Sequence, residues 1–509
     1  MYMVNKYNKK RSNKTHTTKR RKFKNAECAD NMTFQECEMA ILRHNVDENE
    51  EIQGRRVVNN EDVKKMLKIV EEFIVKKKLI CYGGTAINNI LPKNAQFYNK
   101  ETEIPDYDFF SPNPIEDCKE LADIYYENGF TDAEAKSGVH VGTYKVFVNF
   151  IPIADITYLV PEIYDAIHPE TVVIAGIHYA PPNYLRMAMY LELSRPAGDI
   201  SRWEKVLSRL NLLNQYYPMS KNECSHIDFQ RALDSKMNNE EQLYIILRDV
   251  LINQGVVFFG GYAFGLYARY SRDEKHKMRE VPDFDVLSDD PERTAMIVKE
   301  QLTQNNFKNI KTITHKPIGE LMPERVEVLV GKETVVMIYK PIGCHSYNKI
   351  NINNTEVNVA TIDTILSFYL VMIYIDVDLN YNRLICMANF LYNIQIQNRL
   401  NQRGLLKRFS MECYGKQLTL EDIRAEKARV YREFKENGSD KKKYEMWFLN
   451  YKPGDKLAAK KHNKTRKVKR AVSTDKEEKE PEQEHETEKE EEPKKRTVMD
   501  ILRAAVKTH

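Results

Sequence analysis

The chain repeats itself, and this constrains its fold more than any other feature of the sequence. Residues 79–91 read LICYGGTAINNIL and residues 256–267 read VVFFGGYAFGLY. In each, an apolar run enters a Gly-Gly pair and continues into a segment of helical character. Residues 105–111, PDYDFFS, and 282–288, PDFDVLS, repeat a Pro-Asp-aromatic-Asp pattern. Gly83 stands 23 residues before Asp106, Gly260 stands 23 before Asp283, and the offset between copies is 177 throughout. A matched turn, a matched acidic pair and an equal gap define two diverged copies of one domain.

Each copy is predicted to start with a helix. Asn60 caps a segment whose apolar face is Val63, Met66, Leu67, Val70, Phe73 and Ile74, and Leu243, Ile246, Leu247, Val250 and Leu251 repeat that spacing. Strands are expected at 145–150 and 153–159. The pattern predicts an α+β fold with mixed sheets and flanking helices. The expected divisions are a basic arm over 1–25, a first domain over 26–195, connecting helices over 196–238, a second domain over 239–451 and a charged tail over 452–509.

Charge is segregated. The formal net charge is +4, yet residues 1–25 hold ten Lys/Arg and no acid, and residues 475–493 hold eleven acids and three Lys. Residues 452–470 carry nine bases and one acid and residues 494–509 five bases and one acid, which leaves the body over 26–451 at −10. The stretch 101–200 is the most acidic, with 17 acids against 5 bases. Nucleic-acid binding by bulk charge therefore fits the ends and not the body. Both charged ends read as disordered, and a short amphipathic stretch at Val498, Ile501, Leu502 and Ala505 closes the chain. Mean hydropathy is −0.59, and no 18-residue apolar run is present, so no membrane span is expected. Eight cysteines are scattered without a CxxC pair, which reads as free thiols in a reducing compartment.

The first copy carries the chemistry. Asp106 and Asp108 are two residues apart on a predicted strand, so both carboxylates share a face and Tyr107 takes the other. Two carboxylates on one face repel unless a cation lies between them, a geometry suited to Mg²⁺. Asp155 sits in the otherwise apolar run IPIADITYL, where an unpaired charge is costly. If its strand neighbours the first, it completes a triad. The Gly83-Gly84-Thr85 turn opens a helix whose first N–H groups suit phosphate, and Thr85 adds a hydroxyl. Arg186, Arg202, Lys205 and Arg209 follow downstream, and Arg202 and Lys205 are the cations expected at a triphosphate. Phosphates on the turn and metals on the carboxylates describe two-metal nucleotidyl transfer. In the second copy Asp283 and Asp285 remain. Tyr262 replaces Thr85, and Met337 aligns with Asp155, with Glu327 or Glu333 as possible substitutes. That copy is expected to be catalytically degenerate.

CYGGTAINN, PDYDFFSPNP, PIADITYL and YLELSRPAGDISRWEKV resemble the catalytic poly(A) polymerases of nucleocytoplasmic large DNA viruses, including the giant-virus forms. The resemblance spans roughly 26–450. It implies tandem polymerase-β-type nucleotidyltransferase domains, the second degenerate, with Mg²⁺ or Mn²⁺, ATP as substrate and a single-stranded RNA 3′ end as primer. Asp106, Asp108 and Asp155 match the family's metal ligands, and Gly83, Gly84 and Thr85 match its nucleotide-binding turn. It further implies the host cytoplasm (the viral factory) and packaging in the virion. Poxvirus relatives use a separate processivity subunit and giant-virus forms resemble homodimers; the sequence is compatible with both. Read from the residues alone, a uridylyl or CCA-adding transferase and a non-catalytic RNA-binding scaffold stay open.

Overall fold

The computed structural model describes residues 28–29, 31–219, 224, 227, 229, 239–272, 283–375, 381–438 and 440–454. The basic arm, the acidic tail and the closing amphipathic stretch lie outside the described residues.

In chain order the first half comprises α1 (Phe34–Val58), α2 (Glu61–Lys77), β1 (Ile80–Cys81), α3 (Gly83–Ile90), β2 (Tyr107–Ser111), α4 (Pro114–Glu127), β3 (Ala133–Ser137), β4 (Thr143–Val148), β5 (Ile151–Tyr158), α5 (Pro161–Ile167), β6 (Val172–Ile174), β7 (Ile177–Tyr179), α6 (Pro182–Leu193) and α7 (Trp203–Tyr216). The second half comprises α8 (Glu240–Asn253), β8 (Val257–Phe258), α9 (Gly261–Ala268), β9 (Phe284–Leu287), α10 (Pro291–Gln304), β10 (Ile310–His315), β11 (Arg325–Val330), β12 (Glu333–Tyr339), β13 (His345–Ile352), β14 (Thr355–Ala360), α11 (Ile362–Met372) and α12 (Tyr381–Gln397). The chain closes with β15 (Cys413–Tyr414), α13 (Leu420–Asn437), α14 (Lys441–Phe448) and β16 (Asn450–Tyr451).

The duplication is visible in the sheets. The first runs β16-β3-β4-β5-β2-β1-β7-β6 and the second β10-β11-β12-β9-β8-β14-β13-β15. Without β16 and β15, the seven strands of each follow one order. Their pairings also match: β5–β2 and β12–β9 are parallel, as are β1–β7 and β8–β14, and the remaining neighbours are antiparallel. This is the mixed-sheet α+β architecture expected from the repeat.

The starting helices form as their spacing predicts. Asn60 Oδ1 accepts from the Asp62 and Val63 amides, and Val63, Met66, Val70, Phe73 and Ile74 are buried, joined by Ile69. On α8 the buried face is Leu243, Leu247 and Leu251. The two copies meet through α6 and α11, the helices that follow β7 and β14. Tyr184 on α6 lies edge-on to Tyr374 just beyond α11, at 5.7 Å.

One expectation, that of free thiols, is corrected here, after one feature that the repeat does not announce. The stretch 239–451 is not confined to the second sheet: β16 pairs with β3, with Asn450 opposite Lys136 and Tyr451 opposite Ala135. The Tyr144 hydroxyl donates to the Met446 carbonyl at 3.0 Å, and Lys119 pairs with Glu445 at 2.6 Å. The physical reason is that β3 would otherwise end its sheet with unpaired backbone groups, and the chain end covers that edge. Six of the eight cysteines are also paired rather than free: Cys28–Cys37, Cys224–Cys386 and Cys344–Cys413, with Cα separations of 5.1, 5.6 and 5.2 Å. Only Cys81 and Cys118 remain thiols. Two of these pairs join residues 162 and 69 positions apart, so folding alone brings them together. No helix among the described residues is long and apolar enough to cross a membrane.

Candidate active site

Strand register brings the aspartates together. On the parallel β2–β5 pair, Asp108 stands directly opposite Asp155, and Asp106 lies just ahead of β2 on the face they share. Tyr107 is buried on the other face, where its hydroxyl donates to Glu71. The surrounding protein withdraws Asp108 from water, and the charges of Asp106 and Asp155 add to this. Together they push its pKa up to about 7 against the opposing fields of Lys145 and Arg202. Asp106 is raised as well, by the same loss of water and by Asp155, with Lys145 and Lys205 opposing. Carboxylates that resist ionising side by side are an electrostatic vacancy for a cation.

Lys145 partly fills that role. It lies opposite Asp155 on the antiparallel β4–β5 pair and forms an ion pair with it. Sequence reasoning missed it, because a lysine at an alternating strand position is ordinary. Among the described residues no three His, Cys, Asp or Glu side chains, the three aspartates included, stand close enough together to hold a metal ion by themselves. An ion that completes its shell with substrate phosphate needs no such group. Neighbouring oxygen donors with suppressed ionisation fit Mg²⁺ or Mn²⁺.

The Gly-Gly turn is enforced by crowding. Gly83 opens α3 with φ +73°, and a Cβ there would come within 2.6 Å of Asp108 Oδ2. At Gly84 a Cβ would fall 2.4 Å from the Tyr98 hydroxyl and 2.8 Å from Arg209 Nη1. Thr85 differs from expectation. It is buried, and its Oγ1 donates to the Asp106 carbonyl at 2.6 Å, so it fixes the backbone carrying Asp106 rather than offering a hydroxyl to a ligand.

The predicted cations divide. Arg202 and Lys205 act on the fields at Asp108 and Asp106 respectively, and Arg202 Nε lies 3.2 Å from Glu192 Oε1. Arg209, one turn beyond Lys205 on α7, reaches the Gly-Gly turn. It donates to the Tyr98 hydroxyl at 2.8 Å and lies 4.8 Å from the centre of the Phe97 ring. Arg186 is not part of the site: it is fully buried and donates to Asn214, Asn183 and the Tyr217 carbonyl.

In the second copy the register puts Met337 opposite Asp285, where the first copy has Asp155 opposite Asp108. Glu327 stands opposite Met337, in the place of Lys145, and is bound to His315 at 2.8 Å and to Thr334. A Cβ on Gly260 would lie 2.0 Å from Asp285 Oδ2 and one on Gly261 2.3 Å from Asp283 Oδ1, so these carboxylates crowd their own turn.

Residues 68–199 match the family model described as poly(A) polymerase catalytic subunit. A protein of African swine fever virus, named for that subunit, is 39% identical over 181 residues, covering 34% of this chain and 38% of its own length. A protein of Acanthamoeba polyphaga mimivirus bearing the same name is 30% identical over 271 residues, covering 50% and 41%. The chain thus spans about two fifths of the length of the curated relatives it matches. The fold is shared more widely. The Megavirus polyadenylate synthase structure superposes with a TM-score of 0.69 over 87% of this chain and 91% of that one, at 20% identity. The stretch that holds the Gly83-Gly84 turn and all three aspartates lies within residues 68–199, the part of the chain that is similar to the poly(A) polymerase catalytic subunit family.

Proposed function

We propose that the chain adds AMP from ATP to the 3′ end of an RNA, with the first copy as its working site. The observation that carries this reading is the register of Asp155 against Asp108, with Asp108 beside Gly83 of the turn. Asp106, Asp108 and Asp155 would hold Mg²⁺ or Mn²⁺. Such an ion supplies charge neutralisation at the triphosphate and a lowered pKa at the attacking hydroxyl. The chain's own groups do the rest. The first amides of α3 bind phosphate oxygens. Arg202, Lys205 and Arg209 offset the negative charge of triphosphate against an acidic domain. Lys145 holds Asp155 in place by its ion pair, and Thr85 holds the segment that carries Asp106. The second copy, with Met337 for the third carboxylate, braces the first.

The test uses a labelled RNA of 20 nucleotides, Mg²⁺ and each nucleoside triphosphate separately. Ladder growth with ATP alone supports the proposal. Growth with UTP or CTP points to another terminal transferase, and binding without growth to a scaffold. Asp106→Ala should abolish growth and Asp283→Ala should not; the reverse result would exchange the roles of the copies. Whether the chain works as a homodimer or with a processivity partner is read from its mass in solution and from tail length at limiting enzyme. Its proposed setting is the viral factory of the host cytoplasm and the virion.

A further inference from the structure

Residues 381–411 contain no Asp or Glu and five Lys/Arg, within a body of net charge −10. The segment includes α12 and a strap that follows it over 398–409. Arg399, Arg403 and Lys407 recur every fourth residue along the strap, and all three are exposed, as is Arg272 beside it. The strap is anchored from beneath. Leu405 and Leu406 are buried, and Asn348 Nδ2 donates to the Leu405 carbonyl at 3.2 Å and to the Lys407 carbonyl at 2.8 Å. Arg408 is held by Asp363, and Asn398 Nδ2 donates to the Tyr270 carbonyl at 3.1 Å. Its cations therefore project from a fixed backbone.

Two grooves share Asn398, Arg399 and Gln402 as a common wall. One is lined by Arg272, Leu400 and Arg403, the other by Lys407, Arg408 and Phe409. At the end of the second groove Phe409 packs against Trp203, with ring centres 5.7 Å apart. Trp203 opens α7, the helix whose Arg209 reaches the Gly83-Gly84 turn beside Asp108. The Phe409–Trp203 contact thus joins the strap of the second copy to the helix that reaches the turn beside Asp108 in the first.

We infer that this strap is a track for the single-stranded RNA behind its reacting 3′ end. The inference rests on the RNA-extending reading above. Single strands are gripped without sequence preference where cations follow the backbone and aromatic rings meet the bases. The strap presents both next to a site that must accept an RNA end, and the acid-free run removes the repulsion that the rest of the body would exert. The second copy is then the RNA platform of the first.

The test compares the full-length protein with a triple variant, Arg399→Gln, Arg403→Gln and Lys407→Gln. Binding of oligo(A) of 5 and 20 nucleotides is followed by fluorescence anisotropy between 50 and 300 mM KCl. Each lost contact to a single-strand phosphate lowers the slope of log affinity against log salt by about 0.7, so the slope for the 20-mer should fall by about 2. The slope for the 5-mer, which offers fewer phosphates to the strap, should fall by less. Lys441→Gln, Lys442→Gln and Lys443→Gln together serve as the control and should leave both slopes unchanged. An unchanged 20-mer slope in the strap variant, or an equal fall in the control, would overturn the inference. A wild-type protein that binds RNA but adds no AMP would overturn the catalytic reading alone, because the slopes are read without ATP.

Discussion

Replacing Arg408 by Met is expected to unfold the second half of the molecule at markedly lower denaturant. Asp363, near the start of α11, is 1% exposed. Its carboxylate receives Arg408 Nε at 3.0 and 3.1 Å, Arg408 Nη2 at 2.8 Å and Gln395 Nε2 at 3.1 Å. Burial works against the Arg408 charge, and Asp363 overrides it, so the guanidinium pKa stands above its usual value. Two unit charges about 2.8 Å apart attract by roughly 6 kcal/mol at an effective dielectric of about 20, and desolvation of both ions takes back most of that. The pair adds little over an apolar replacement of both. Removing the guanidinium alone is different, because it leaves a buried carboxylate without a counter-charge, at a cost of about 3–5 kcal/mol. With a denaturant slope of about 3 kcal/mol per molar, the urea midpoint should fall by about 1–1.7 M. Tryptophan emission gives the assay, since Trp203 packs on Phe409 beside the substituted residue. Adding Asp363→Asn to Arg408→Met should recover about half of the loss. A cost below about 1 kcal/mol for Arg408→Met would refute this reasoning, as would a double variant no more stable than the single one.

Millimolar Mg²⁺ or Mn²⁺ should raise the melting temperature of the wild-type protein, by the equivalent of about 2.7 kcal/mol at a hundredfold excess over Kd, and should leave Asp108→Asn unmoved in the same thermal-shift assay. His345 is fully buried, and loss of water together with the Arg195 charge lowers its pKa to about 3. Unfolded protein therefore binds the proton first, and stability should fall as pH drops below about 6.5, by about 1.4 kcal/mol per pH unit down to about 3; His345→Leu should flatten that part of a pH–stability curve measured by urea unfolding. Alkylation of the urea-unfolded, unreduced protein should add two groups by mass, at Cys81 and Cys118, where eight additions would show the sulfur pairs to be absent.

What was legible in the sequence was what repeats or what offends a local rule. The two Gly-Gly turns and the two Asp-x-Asp pairs share a spacing, and the sheets share a strand order because of it. Asp155 was visible as a charge inside an apolar strand, and Met337 was visible as its replacement; the registers Asp108–Asp155 and Asp285–Met337 agree with both. What escaped notice depends on side chains converging from distant segments. Tyr98 and Arg209 are 111 positions apart, yet both press on Gly84. Arg186 looked like a phosphate cation and is instead a buried brace, because three acceptors from α6, α7 and the turn beyond surround it. Thr85 looked like a ligand hydroxyl, but its nearest acceptor is a carbonyl of its own site. Closure of the first sheet by β16 leaves no mark in local periodicity, since the strand is two residues long and arrives from the far end of the chain.

The contact between α6 and α11 has a consequence beyond holding two halves together. These helices are counterparts in the repeat, each following the last sheet strand shared by the two copies. Like meets like there, as in the interface of a twofold dimer. The chain is in that sense a dimer fused into one polypeptide, and the face such a dimer would use is already occupied. The fusion also released the halves from equality, since α6 leads directly into the helix bearing Lys205 and Arg209, while α11 carries Asp363 and its clamp on Arg408. One half could keep three carboxylates at the expense of its own stability, and the other could exchange one for methionine and become the splint that holds the first in shape.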